Sequence, residues 1–314
     1  MNTVQEICAA LRAAEEMTIV MHRHPDGDTV GSAAALGECM AALGKRVRYA
    51  CPDPISPKYR DLIDPAQMTD APCGAIVAVD VAAPDMAGRF SDAVQNADII
   101  IDHHGTNPCP GKYNLVRPSA AATGEIIYDI VREIGTLTKN VAYALYVAVS
   151  TDTGCFRHGN TTPYTHTVAA ALMETGLDIT ELNRRLFVIK TPAAFAARGR
   201  IMDNIHVFAD GQASITYIDL AFIEKNGVGE DDLENISSLP MEMQGVRVAA
   251  TLRETQAGVY KVSLRTDGTV DGAAVAGKFD GGGHRMAAGC TLRGSLADCE
   301  EQMRLAICGA LGTE

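Results

Sequence analysis

Three uninterrupted apolar runs, each ending abruptly in aspartate or histidine, restrict this chain more than any other feature of it. Met17 to Met21 runs into His22-Arg23-His24-Pro25-Asp26-Gly27-Asp28, Ala75 to Val79 ends in Asp80, and Ile99 to Ile101 ends in Asp102-His103-His104. Runs apolar on both faces and separated by helical segments belong to a parallel sheet covered on both sides. In such sheets sites form at the carboxyl ends of the strands, so one pattern predicts both the fold and where its chemistry lies. Imidazole and carboxylate together suit a borderline-to-hard divalent cation such as manganese, zinc or iron. For the first loop alone, a polar turn with a satisfied histidine is the competing reading.

Around these runs the chain reads as a two-domain protein of 314 residues. Residues 3–16 have helical spacing with Thr3 as a cap. Gly31-Ser32 opens an Ala-rich helix stopped by Gly44, and Val47 to Ala50 is a second strand. Residues 120–186 read as mostly helical, interrupted by Ser150-Thr151-Asp152-Thr153-Gly154, where Asp152 is either a cap or a ligand. Thr191 to Asn204 reads as a connecting helix, so the expected division is 1–190, a linker helix at 191–204, and 205–314. Residues 205–219 and 245–265 alternate like half-exposed antiparallel strands, with Gln256-Ala257-Gly258 as a turn.

The segment Gly281-Gly282-Gly283-His284-Arg285 stands out in the second half. Consecutive glycines before a helical start would expose N–H groups and admit a phosphate closely, although a flexible loop has the same composition. Residues 245–293 hold seven basic side chains (Arg247, Arg253, Lys261, Arg265, Lys278, Arg285, Arg293) against four acidic ones, a cationic window in an acidic chain.

The formal net charge of −12 argues against a long nucleic-acid footprint, which needs many phosphates neutralised, but permits a small phosphorylated ligand. Nine scattered cysteines without a Cys-x-x-Cys pair read as small core residues in a reducing compartment. No apolar run reaches membrane-spanning length and no signal-peptide pattern opens the chain, so a cytoplasmic enzyme is expected.

His22, Asp26, Asp28, Asp80, His103 and Asp152 are two histidines and four carboxylates from four separated segments. Six such groups suit two cations, about 3.5–4 Å apart in phosphoester-hydrolysing centres. These residues carry a resemblance to the DHH-family phosphoesterases: His22-x-x-x-Asp26-x-Asp28 is similar to the first motif, Asp80 to the second, Asp102-His103-His104 to the signature, and Asp152 to the fourth. Gly281 to Gly289 resembles the glycine motif of the DHH-associated C-terminal domain. The resemblance implies a parallel-sheet α/β DHH domain with helices on both faces, a smaller α/β domain with a mixed sheet, and an active site in the cleft between them. It further implies that His22, Asp26 and Asp80 hold one metal and Asp28, Asp80, His103 and Asp152 the other, with manganese the usual choice. His104 would face substrate as a general acid, Asp102 would orient the histidines, and Arg265, Gly281, Gly282, Gly283, His284 and Arg285 would bind a substrate phosphate. His24 could replace His22 if the strand continued; the spacing to Asp26 favours His22.

Within the family, the two-domain layout resembles enzymes that degrade very short oligoribonucleotides, including linear dinucleotides such as pApA, and remove the 3'-phosphate of 3'-phosphoadenosine 5'-phosphate. Hydrolysis of cyclic di-AMP is the alternative activity, and a nucleotide-binding regulator without turnover the alternative class. Phe156, Arg157 and His158 either contact substrate or form a packed aromatic beside solvated charges. Homodimerisation stays open.

Overall fold

The computed structural model describes residues 1–135, 137–233 and 235–313, which form two compact units, Met1–Ile189 and Lys190–Glu314. In the first, strands β1 (Glu16–Val20), β2 (Arg46–Ala50), β3 (Ala75–Val79), β4 (Ile99–Asp102) and β5 (Tyr113–Val116) make one sheet in the order β2-β1-β3-β4-β5, all parallel. The apolar runs are therefore strands buried on both faces. Met17, Ile19, Val77, Val79, Ile99 and Ile101 pack into the larger core, whereas Val20, Ala78 and Ile100 point into a smaller one on the opposite face.

The larger core is closed by α1 (Val4–Ala13), α2 (Gly27–Ala42), α4 (Thr123–Ile134) and α5 (Lys139–Asp152), the smaller by a short turn of helix at Pro84–Phe90 and α3 (Ser91–Gln95). Thr3 begins α1 with a reciprocal capping box to Glu6. α2 crosses α5 closely: a Cβ at Gly31 would lie 2.5 Å from the Ala144 carbonyl, and one at Gly27 would lie 2.3 Å from Thr151 Oγ1. Only glycine permits that approach, which draws the start of α2 toward the last turn of α5. Helices α6 (Pro163–Met173) and α7 (Ile179–Asn183) complete the unit.

The second unit is a six-stranded sheet, β10-β11-β9-β8-β7-β6, formed by β6 (His206–Phe208), β7 (Ala213–Ile218), β8 (Val248–Gln256), β9 (Val259–Thr266), β10 (Gly282–His284) and β11 (Ala287–Arg293). One face packs on α10 (Gly272–Gly277) and α11 (Leu296–Leu311) through Val248, Ala250, Leu252, Val262, Leu264 and Cys290. Helix α8 (Pro192–Asp203) places Ala197 and Ile201 in a separate cluster with Ile218, Val228, Ile236 and Leu239, and α9 (Leu220–Asn226) adds Phe222 and Ile223.

Four local expectations change. α2 starts at Gly27, with Asp26 as its cap, four residues ahead of Gly31. β5 adds a strand at Tyr113–Val116 that the residue pattern did not suggest. β7 and β8 run parallel, and the connection between them, which carries α9 and two short turns, is the long crossover that parallel neighbours require. The glycine segment opens no helix; Gly282–His284 pairs antiparallel with Ala287–Gly289. Among the described residues no helix is long and apolar enough to cross a membrane.

Candidate metal centre

The order β2-β1-β3 places the reversal of strand order between β1 and β3, and the crevice outside their carboxyl ends is where ligands of open α/β sheets bind. His22 follows β1, Asp80 follows β3, and Asp102-His103-His104 closes β4. Asp26 and Asp28 come from the cap and first turn of α2, and Asp152 from the last turn of α5. Two chain segments adopt left-handed backbone here: Asp80 (φ 60°), whose N–H bonds to the Ile101 carbonyl at 2.9 Å, and His24 (φ 53°). For a non-glycine residue this conformation costs energy and persists only where the surroundings enforce it.

The side chains meet in sets that share Asp80. His22 Nε2 lies 3.9 Å from Asp26 Oδ1 and 3.7 Å from Asp80 Oδ2. His103 Nε2 lies 3.9 Å from Asp28 Oδ2, 3.7 Å from Asp80 Oδ1 and 3.8 Å from Asp152 Oδ2. These separations are too long for hydrogen bonds. They suit two donors that each stand about 2.1 Å from one shared ion, which places the donors about 3 to 4.2 Å apart as the angle between them opens. The donor set thus fits divalent cations. His22 and His103 are also oriented for it, because each Nδ1 faces a backbone carbonyl, Arg23 at 2.6 Å and Ala120 at 3.3 Å, which leaves Nε2 free. His24 is 88% exposed in its side chain and pairs with Asp53, outside the cluster.

His104 differs. Its Nδ1 bonds to Asp102 Oδ1 at 2.8 Å, and Asp102 also accepts the His103 and His104 backbone N–H groups and Asn107 Nδ2. Its hydrogen bond to Asp102 pushes the His104 imidazole up to about 9, with burial opposing and Asp80 and Asp152 assisting. The Asp102 carboxyl stays below its usual range because hydrogen bonds from His104 and Asn107 outweigh its burial.

Several supporting side chains carried no signal in the sequence. Asp80 accepts Thr29 Oγ1 at 2.6 Å and Thr123 Oγ1 at 2.8 Å. Asp28 accepts the Thr123 and Gly124 N–H groups at 2.7 and 2.9 Å and Ser32 Oγ at 3.0 Å. Since Ala122 offers no capping side chain, Asp28 caps α4 from ninety-five residues away. Asn160 bridges the Ala121 carbonyl and Asp152. Hydroxyl and amide donors at such positions are too common in any sequence to single out. Phe156 stacks on His166 at 5.4 Å and packs into the core, while Arg157 Nε donates to the Gly154 carbonyl.

In the second unit, Arg265 and His284 lie on the same row of the sheet, both paired in register with Ala287. Arg265 is half-buried, donates to the Leu264 carbonyl, and has no acidic partner among the described residues; burial lowers the pKa of its guanidinium. Arg285 instead reaches Asp271 at 3.8 Å and the Gly268 carbonyl. Gly281 donates its N–H to the Ala276 carbonyl. Of the other basic residues, Arg247 and Arg253 pair with Asp267 and Glu230.

Four carboxylates facing one another carry an electrostatic cost. Burial, then Asp80, Asp152 and Asp26, raises Asp28 well above the usual carboxylate range, and burial raises Asp152 to about 6 against the opposing effect of His103. Asp26 is also raised, by burial and then by Asp80, but its side chain is 58% exposed and solvent screens the effect. In chelated protein the folded state therefore holds protons that the unfolded chain releases, and stability falls as pH rises from about 4 to above 6. Cations reverse the sign of this trend by competing with those protons. Thermal denaturation should show the chelated protein losing Tm across that interval, and a manganese-induced gain that is larger at pH 7.5 than at pH 5. A gain independent of pH would contradict the arrangement.

Comparison with known proteins follows the same division. Residues 16–149 match the DHH family, N-terminal domain, and residues 212–310 the DHHA1 domain. The chain is 34% identical over 299 residues to the bifunctional oligoribonuclease and PAP phosphatase NrnA of Thermus thermophilus, covering 94% of this chain and 89% of the relative. It is 26% identical to the protein of that name from Bacillus subtilis, with 88% and 89% covered. Among solved structures, an exopolyphosphatase-related protein from Bacteroides fragilis shares the fold at a TM-score of 0.86 and 21% identity, covering 96% of this chain and 94% of the other. Motifs, strand order and relatives converge: the chain belongs to the DHH family of phosphoesterases and carries a DHHA1 domain.

Proposed function

We propose that this hydrolase cleaves short oligoribonucleotides, linear dinucleotides such as pApA among them, and removes the 3'-phosphate of 3'-phosphoadenosine 5'-phosphate. The observation that carries the reading is the pair of ligand sets meeting at Asp80, with nitrogen–oxygen separations of 3.7–3.9 Å throughout. His22, Asp26 and Asp80 would hold one ion and Asp28, Asp80, His103 and Asp152 the other. Divalent cations held there, manganese by the family's usage, would supply Lewis acidity toward a phosphoryl oxygen and toward water. Relatives named as oligoribonuclease and PAP phosphatase in Thermus thermophilus and Bacillus subtilis support the substrate class. The net charge of −12 supports a small substrate over a long strand. Nine free thiols suit a cytoplasmic setting.

The chain's own residues have distinct tasks in this reading. His104, with Nδ1 committed to Asp102, keeps a proton on Nε2 at neutral pH and is 41% exposed in its side chain, so it can protonate a leaving oxygen. Asp102 is the positioning residue that fixes that ring. Arg265, whose charge lacks an acidic partner among the described residues, anchors a second phosphate, with His284, the Gly282-Gly283 backbone, for which Gly281 with its N–H held by Ala276 sets the turn, and, more weakly, the Asp271-paired Arg285.

A panel of pApA, short RNA, 3'-phosphoadenosine 5'-phosphate and cyclic di-AMP, each with manganese and with chelator, tests the substrate. Mononucleotide release from the first two and phosphate from the third should require metal, and Asp80→Ala or His103→Ala should reduce turnover about a thousandfold or more in a folded protein. Cyclic di-AMP cleaved faster than pApA, or full activity in either variant, would contradict the reading. Arg265→Ala should raise KM about ten- to a hundredfold with little change in kcat, the loss of one charge-assisted contact. An unchanged KM would remove Arg265 from substrate binding.

A further inference from the structure

An ionised carboxylate offers about four lone-pair positions, two on each oxygen, so the donors already seated on it show which positions remain. On Asp28, Oδ1 takes Gly124 N–H and Ser32 Oγ, and Oδ2 takes Thr123 N–H. One position is left, on the oxygen 3.9 Å from His103 Nε2. Asp80 is filled differently. Among the described residues its Oδ2 takes Thr29 Oγ1 alone and its Oδ1 takes Thr123 Oγ1 alone, which leaves one position on each oxygen. Those oxygens face different histidines, Oδ2 being 3.7 Å from His22 Nε2 and Oδ1 3.7 Å from His103 Nε2.

We infer that Thr29 and Thr123 are positioning residues that divide the Asp80 carboxylate, Thr29 turning one oxygen to the His22 and Asp26 set and Thr123 turning the other to the Asp28, His103 and Asp152 set. The inference rests on the two-cation reading above and assigns the hydroxyls a role within it. Both threonines are fully buried, and neither hydroxyl bonds to anything besides Asp80 among the described residues. Their backbones serve separately: Thr29 N–H bonds to Asp26, and Thr123 N–H to Asp28. Replacing threonine by valine therefore removes one donor while keeping shape and backbone contacts. A carboxylate that loses one donor is free to turn, and the ion served by that oxygen should suffer first.

The test titrates manganese alone into chelator-stripped full-length protein and counts uptake by calorimetry or by the resonance of free Mn²⁺. The parent should take up two equivalents. In a His103→Ala background, which keeps the His22 set, Thr29→Val should weaken the remaining site about ten- to a hundredfold and Thr123→Val less than about threefold. In a His22→Ala background the order should reverse. Thr29→Ser and Thr123→Ser should restore affinity in the respective backgrounds, and Thr→Ala variants supply the same readout where valine does not fold. Equal losses in both backgrounds, or valine variants that titrate like threonine, would overturn the division of labour. A parent that takes up fewer than two equivalents would overturn the two-cation reading together with it.

Discussion

Asp80 is the constraint on which the first unit turns. A buried carboxylate in left-handed backbone, facing three histidines, His22, His103 and His104, and within the field of three more aspartates, is costly to hold. The fold meets that cost with donors: two hydroxyls on Asp80, two backbone N–H groups and a hydroxyl on Asp28, and side-chain and backbone groups on Asp102. These donors orient the carboxylates, but the upward displacement of Asp28 and Asp152 shows that donors alone leave the group over-charged. Protons taken up from solution, or cations that compete with them, balance it.

The architecture follows from having to assemble these groups. A parallel sheet delivers all its strand ends to one edge, so β1, β3 and β4 can each contribute a carboxylate or imidazole to the cluster without long loops. Helix starts add what side chains alone could not. The first turn of α4 gives two unsatisfied N–H groups to Asp28, favourable both as hydrogen bonds and as the positive end of the helix dipole. That contact requires α2, α4 and α5 to lie close, which Gly27 and Gly31 allow. The segment from Ala120 to Gly124 adds no carboxylate or imidazole to the cluster, yet it touches His103, Asp28 and Asp80 directly and Asp152 through Asn160.

Much of this was legible in the sequence because it rests on covalent neighbours. An apolar run ending in Asp or His declares a buried strand with a polar terminus, and the spacing within His22-x-x-x-Asp26-x-Asp28 keeps three of the clustered groups in one loop and helix start. What stayed hidden depends on residues distant in the chain. Thr29 and Thr123 look like any other hydroxyls until β3 places Asp80 between them, and Asn160 has no distinguishing pattern at all. The second unit was read less well for a similar reason. Alternation revealed its strands, but parallel or antiparallel pairing of β7 and β8 depends on the connection between them, and a glycine run serves a hairpin as readily as a helix start. Arg265 resembled six other basic residues nearby until ion-pair partners distinguished Arg247 and Arg253 from it.

Anomalous diffraction at the manganese edge, from crystals grown with the ion, addresses the central claim most directly. Two peaks about 3.5–4 Å apart are expected, one bounded by His22, Asp26 and Asp80 and the other by Asp28, Asp80, His103 and Asp152, with a different Asp80 oxygen on each. A single peak, or peaks away from Asp80, would contradict the account.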